Sequence, residues 1–160
     1  MATGKFTRLF AVSLVTAVIG IGVGGSADAG TSAKSRVEVL DLAVRYDQHE
    51  ALDVGPAGPS LGDTNVYSGI AVQDGRDVGR GGGTCQVVRV EGTAATTQCL
   101  LTLETERGSL TMQSLWKTGG RGPLDMAITG GTGDFADARG TVRYTDIGTP
   151  DERARAEILH

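Results

Sequence analysis

Polar and apolar positions of this chain alternate with a period of two in short runs, and glycine-rich breaks separate the runs. Arg36 to Tyr46 sets Val37, Val39, Asp41, Ala43 and Arg45 on one face and Leu40, Leu42, Val44 and Tyr46 on the other. Both faces are largely apolar, which predicts a strand covered on both sides. Further strands are predicted over Val66 to Val72, Thr84 to Val90, Thr97 to Leu103, Ser109 to Trp116, Leu124 to Thr129 and Gly140 to Asp146. Arg153 to Leu159 fits a last strand or a terminal helical turn. Asp53 to Asp63 and Asp74 to Gly83 are rich in glycine and are predicted loops, and Gly119 to Pro123 is a predicted turn. About eight short strands at this spacing, with no convincing internal helix, predict an all-β sandwich or barrel. Closure removes exposed edges. The expected form is an eight-stranded antiparallel closed β-barrel, whose interior is either filled by side chains or holds one small ligand.

The pattern also predicts register. With Glu91-Gly92-Thr93 as a three-residue hairpin loop, Val90 faces Ala94 and Cys85 faces Cys99. Opposed residues of a non-hydrogen-bonded pair approach to about 4.5 Å, within reach of a disulfide. A Cys85–Cys99 bridge is the expectation, and a reactive free thiol the alternative. A turn at Glu106-Arg107-Gly108 then pairs Leu103 with Leu110, Leu101 with Met112 and Cys99 with Ser114. Both cysteines, Leu101, Leu103, Leu110, Met112 and Trp116 share one surface. Between Ala127 and Gly140, three glycines in four residues force a sharp turn, and Phe135 is the large side chain available to plug it.

Composition narrows the picture at the N-terminus. The chain has 160 residues, enough for one domain. Lys5 and Arg8 precede an apolar run from Leu9 to Val23, and Ala27-Asp28-Ala29 follows. This predicts a secretory signal peptide over residues 1–29, cleaved after Ala29. A membrane anchor is the alternative, but the run is shorter than the ~20 apolar residues a span needs. The mature protein is therefore expected to be secreted, with no stable membrane insertion. Residues 30–35 are small and polar and are expected to be flexible, and residues 36–160 form the barrel domain.

The mature chain would carry 13 basic and 18 acidic side chains, a net charge of −5. The charges are interspersed without a basic stripe, so no nucleic-acid partner is expected. His49 and His160 are the two histidines, too few for a zinc site built on several imidazoles. No metal is expected. No Gly-x-Ser-x-Gly elbow is present. Gly131-Thr132-Gly133 lacks the third glycine and following helix of a dinucleotide fingerprint.

The stretch from Ala127 to Tyr144 resembles the signature of the allene oxide cyclase and dirigent superfamily. There, Gly-Gly-x-Gly-x-Phe, then a small residue, Arg or Tyr, and Gly join two barrel strands. Thr64-Asn65-Val66-Tyr67-Ser68-Gly69, Gly83-Thr84-Cys85 and Gly108 to Trp116 are similar to further segments of allene oxide cyclases. The resemblance covers roughly residues 60 to 155 and implies an eight-stranded barrel whose lumen binds an apolar substrate and folds it toward one ring closure or coupling. Such steering works by proximity and orientation, without a cofactor. Bacterial relatives include Diels–Alder-type cyclases, and dirigent relatives steer phenoxy radicals.

Residue by residue, the resemblance makes Asn65 the holder of a bound water and Asp47 the acidic group that stabilises positive charge, with Glu50 as runner-up. Cys85 falls on a lumen cysteine and Trp116 on a lumen tyrosine. Asp47 and Asn65 are the candidate catalytic residues. Tyr67, Leu101, Leu103, Met112 and Trp116 are the candidate ligand-binding wall. The expected activity is steered cyclisation or coupling of a hydrophobic small molecule, and the alternative is a non-catalytic binding or structural barrel. Association of copies through outer barrel faces is possible.

Overall fold

The computed structural model describes residues 36–117 and 122–160. The predicted signal peptide, residues 30–35 and most of the Gly119–Pro123 turn lie outside the described residues. Eight strands form one closed antiparallel barrel in which each strand pairs with its neighbours in sequence and the last pairs with the first. They are β1 (Val37–Leu52), β2 (Thr64–Gln73), β3 (Arg76–Glu91), β4 (Ala94–Thr105), β5 (Gly108–Lys117), β6 (Leu124–Gly131), β7 (Arg139–Thr145) and β8 (Arg153–Leu159).

The alternating pattern sets the inner face. Leu42, Ala71, Cys85, Cys99, Leu110, Met112, Met126, Val142, Ala156 and Ile158 are buried in one continuous core. The predicted pairs Leu103–Leu110, Leu101–Met112 and Cys99–Ser114 are all present. Burying these side chains contributes about 25 cal/mol per Å² of apolar surface.

Several boundaries differ from the pattern. β1 runs past Tyr46 to Leu52, bending through a bulge at Asp47 where the register against β2 shifts by one residue. The outer face of β1 is uncovered: Val37 is 56% exposed and Val39 40%. The predicted loop from Asp74 to Gly83 is mostly strand. Only Asp74-Gly75 turns, with φ of 51° and 75°, the two positive values of a type I′ hairpin. Gly79, Gly81, Gly82 and Gly83 pair on both sides within β3. Packing overrides propensity here, because neighbouring backbone comes too close for a side chain. A Cβ at Gly83 would sit 2.2 Å from the Leu100 carbonyl oxygen.

The β3–β4 loop also differs. It has two residues, Gly92 and Thr93, with Gly92 at φ 61° in the first position as a type II′ turn requires. A bulge at Val88 offsets the shorter loop, so Val90 faces Ala95 while Cys85 still faces Cys99. The two cysteines form the expected disulfide. Residues 153–159 are strand, since their alternation buries Ala154, Ala156 and Ile158.

Phe135 packs into one end of the barrel, 1% exposed, from a 3₁₀ turn at Gly133–Phe135. The Arg107 guanidinium lies 4.8 Å from its ring centroid and ion-pairs with Glu38 at 2.5 Å and Asp134 at 3.1 Å. His160 adds a 3.1 Å bond to Glu38. Hydrogen bonding from Arg107 is the main reason the Glu38 carboxyl is lowered to about 2.

Candidate functional site

The barrel is hollow toward both ends: a space of about 720 Å³ lies beside Phe135 between Leu40, Val78, Leu103 and Arg107, and the candidate site lies at the other end. The lumen there forms a cavity of about 430 Å³ between Trp116, Tyr67, Tyr144, Leu101 and Leu124, with Tyr46, His49, Asn65, Ile147 and Glu152 completing the wall. A second, apolar space of about 60 Å³ continues inward past Leu42, Val44, Leu103, Met112 and Gly81. The room follows from the sequence. At the level of the inner space the inward positions are small, Gly69 on β2, Gly81 on β3 and Ala154 on β8, so that arc of wall carries little side-chain volume.

One acidic group faces this space. Glu152 precedes β8 in phase with Ala154, Ala156 and Ile158, which puts its side chain inside the barrel, 2% exposed. The Tyr46 hydroxyl donates to its two oxygens at 2.9 and 2.8 Å, and the Gly148 backbone N–H donates to one of them at 2.7 Å. Burial pushes its proton affinity up, and these two hydrogen bonds offset only part of that rise.

The phenols around it are held protonated. Burial, then the hydrogen bond to Glu152, raises Tyr46. Burial raises Tyr144 and pushes Tyr67 up to about 12. Tyr46 and Tyr67 pack edge to face, with centroids 5.9 Å apart. A carboxyl of raised proton affinity can give a proton to a ligand and take one back, and hydroxyl donors can stabilise oxygen or nitrogen that gains negative charge.

The predicted residues divide. Tyr67, Leu101 and Trp116 line the open cavity, and Leu103 and Met112 the inner space. Asn65 sits at the rim, its Oδ1 3.2 Å from His49 Nε2. Asp47 lines neither space: at the β1 bulge it accepts hydrogen bonds from the Ser68 hydroxyl and, at 2.7 Å, from Arg80. Hydrogen bonding from Ser68 is the main cause of its lowered pKa. Glu50 is exposed and lines neither space. The group that sequence reasoning missed is Glu152. Its signal was the two-residue phase it shares with three apolar positions, visible only once 153–159 is taken as strand. Tyr144, in phase with Val142, was missed in the same way. Among the described residues, no group of three or more His, Cys, Asp and Glu side chains is placed to hold a metal ion.

The model of the allene oxide cyclase barrel-like domain matches residues 39–159. The chain belongs to the allene oxide cyclase barrel-like family. No curated protein matches the sequence. Among solved structures, this family member is similar to pyocyanin demethylase, at 34% identity over 76% of this chain and 99% of the other, with a TM-score of 0.71. An exo-specific intermolecular Diels-Alderase is 15% identical over 78% of this chain and 99% of its own, with a TM-score of 0.63. A pterocarpan synthase dirigent protein is 15% identical over 88% and 98%, with a TM-score of 0.60. The latter two share the barrel fold with this family member.

Proposed function

We propose that the open end of the barrel binds a flat, largely apolar small molecule, and that Glu152 moves a proton on it. The protein would thereby steer bond making or bond breaking with no cofactor. The observation that carries this reading is a buried carboxyl of raised proton affinity, set among three tyrosines and a tryptophan in a cavity of ligand size. Trp116, Tyr67 and Tyr144 supply flat apolar faces, and Asn65 a polar contact at the rim. Demethylation of an oxidised N-methylated aromatic is the first reaction in this reading, because the relative that shares 34% of residues is a pyocyanin demethylase. Water adds at the methyl carbon, which leaves as formaldehyde, and the ring keeps the two electrons and takes up the protons. Steered cyclisation is the second, supported by the barrel shared with cyclases and dirigent proteins. The N-terminal pattern supports a site of work outside the cytoplasm, with a mature chain that begins at Gly30.

Incubation with pyocyanin, followed by chromatography of the products, tests the reading. Loss of the methyl group in wild type and its abolition in Glu152→Gln support it. The glutamine keeps the local bonding: its carbonyl can accept from Gly148 and Tyr46, and its amide can donate to the Tyr46 oxygen. Binding with no turnover would make the protein a carrier. Turnover equal in wild type and Glu152→Gln would remove Glu152 from the chemistry.

A further inference from the structure

The Cys85–Cys99 bridge is placed where a structural crosslink has little to do. It joins two directly opposed residues, Cα atoms 4.1 Å apart, inside a β3–β4 ladder that pairs residues from Gly79–Thr105 to Glu91–Ala94. Strand hydrogen bonds on both sides hold that register without it. The bridge also faces the lumen, and Cys85 forms part of the wall of the open cavity.

Its surroundings are unusual for an apolar interior. The Tyr67 hydroxyl lies 3.3 Å from Cys85 Sγ. The Thr97 hydroxyl lies 3.7 Å from Cys99 Sγ. Ser114 stands directly opposite Cys99 on β5, and its buried Oγ has no hydrogen-bond partner among the described residues. A buried hydroxyl without a partner is costly. A disulfide sulfur donates no hydrogen bond, whereas a thiol both donates and accepts. Two hydroxyls thus lie against sulfurs that use them poorly when oxidised and better when reduced; the Thr97 hydroxyl also donates to the Trp116 carbonyl at 3.2 Å.

We propose that Cys85–Cys99 is a reversible redox site opening into the ligand cavity, reduced by a small dithiol that enters through the open mouth. A dithiol thiolate attacks Cys85 Sγ, the sulfur on the cavity wall. The S–S bond breaks and Cys99 leaves as a thiolate that takes up a proton. The second dithiol sulfur then displaces Cys85 from the mixed disulfide. The balance is one dithiol oxidised to its cyclic disulfide and one protein disulfide reduced to two thiols.

Reduction changes the binding wall and leaves the fold. Two non-bonded heavy atoms need about 3.5–4.0 Å, and the strand ladder fixes the backbone, so a sulfur must rotate. Cys99 is fully enclosed at 0% exposure, while Cys85, at 5%, borders open space. Cys85 Sγ therefore turns toward the cavity and Tyr67. The consequence for ligands rests on the binding site proposed above; the redox site itself does not.

The test exposes the full folded chain to dithiothreitol, traps thiols by alkylation and intact mass, and follows far-UV circular dichroism in parallel. The expected result is two alkylated thiols with the β signal unchanged. Thiols that appear only as that signal is lost would overturn the proposal. In a dithiothreitol redox titration, Tyr67→Phe should shift the equilibrium toward the disulfide, because the Cys85 thiol loses the hydroxyl beside it; an unchanged titration would contradict it. With acridine as a flat, redox-inert probe, occupancy of the mouth should slow reduction several-fold. The reduced protein should bind acridine several-fold more weakly, because the rotated Cys85 sulfur takes up space at the cavity wall. Acridine that binds equally in both states and leaves the reduction rate unchanged would refute the link to the cavity. Failure of acridine to bind at all would count against the ligand site, while alkylation and circular dichroism still decide the redox site.

Discussion

Replacing Tyr46 with Phe removes one hydroxyl and keeps the ring that packs on Tyr67. That hydroxyl donates to both Glu152 oxygens at 2.8–2.9 Å. A hydrogen bond to an ionised group contributes about 1.5–3 kcal/mol, and one between neutral groups about 0.5–1.5. Tyr46 keeps an exposed edge, which favours the lower half of each range. The Glu152 pKa is raised in the fold above its ordinary value of 4.5. Its stabilising contribution is therefore fully present below about pH 4.5 and is lost as pH rises through the folded value. Removing the Tyr46 bond raises the folded value further, so the variant loses more stability on the alkaline side. Urea denaturation at about pH 4 should show a loss near 1 kcal/mol, and at about pH 8 near 2 kcal/mol. An equal loss at both pH values would mean that Tyr46 does not bind the carboxylate and would refute the reasoning.

Other expectations follow from the same geometry. Gly83→Ala should lower stability by about 1–3 kcal/mol, because its Cβ meets the Leu100 carbonyl at 2.2 Å and Leu101 Cα at 2.9 Å. Gly81→Ala, whose nearest neighbour would be 3.2 Å away, should fold normally and narrow the inner space; thermal melts of the two variants compare them. At the Phe135 end, Glu38 is lowered to about 2 from 4.5, so its contribution is present above pH 4.5 and lost as pH falls through about 2. Glu38→Gln should cost about 1 kcal/mol at neutral pH and flatten the acid side of the stability curve.

The barrel was legible because period-two alternation decides which side chains meet inside. The register of β4 on β5 and the Cys85–Cys99 pairing came from counting residues across turns. The β3–β4 loop shows how far such counting goes: a shorter turn and a bulge at Val88 each shift the ladder by one residue and cancel at the cysteines. Glycine was the misleading residue. In Asp74 to Gly83 it reads as loop, yet from Gly79 onward it serves a crowded strand, a demand made by the neighbouring strand and absent from the local sequence. The carboxyl of the site was hidden for a related reason. Asp47 continues the face of Asp41 and Arg45, which is the outer wall, and the bulge after it brings His49 inward instead, while Glu152 enters the lumen from a turn that the local pattern leaves open between strand and helix.

The central claim is that the open end of the lumen holds a flat small molecule against Glu152. A crystal structure of the protein with pyocyanin tests it most directly. The account predicts ligand density between Trp116, Tyr67 and Tyr144, with a ligand heteroatom or its N-methyl group next to the Glu152 carboxyl. A lumen closed by its own side chains, or a ligand bound on the outer wall beside Asp47 and Arg80, would contradict it.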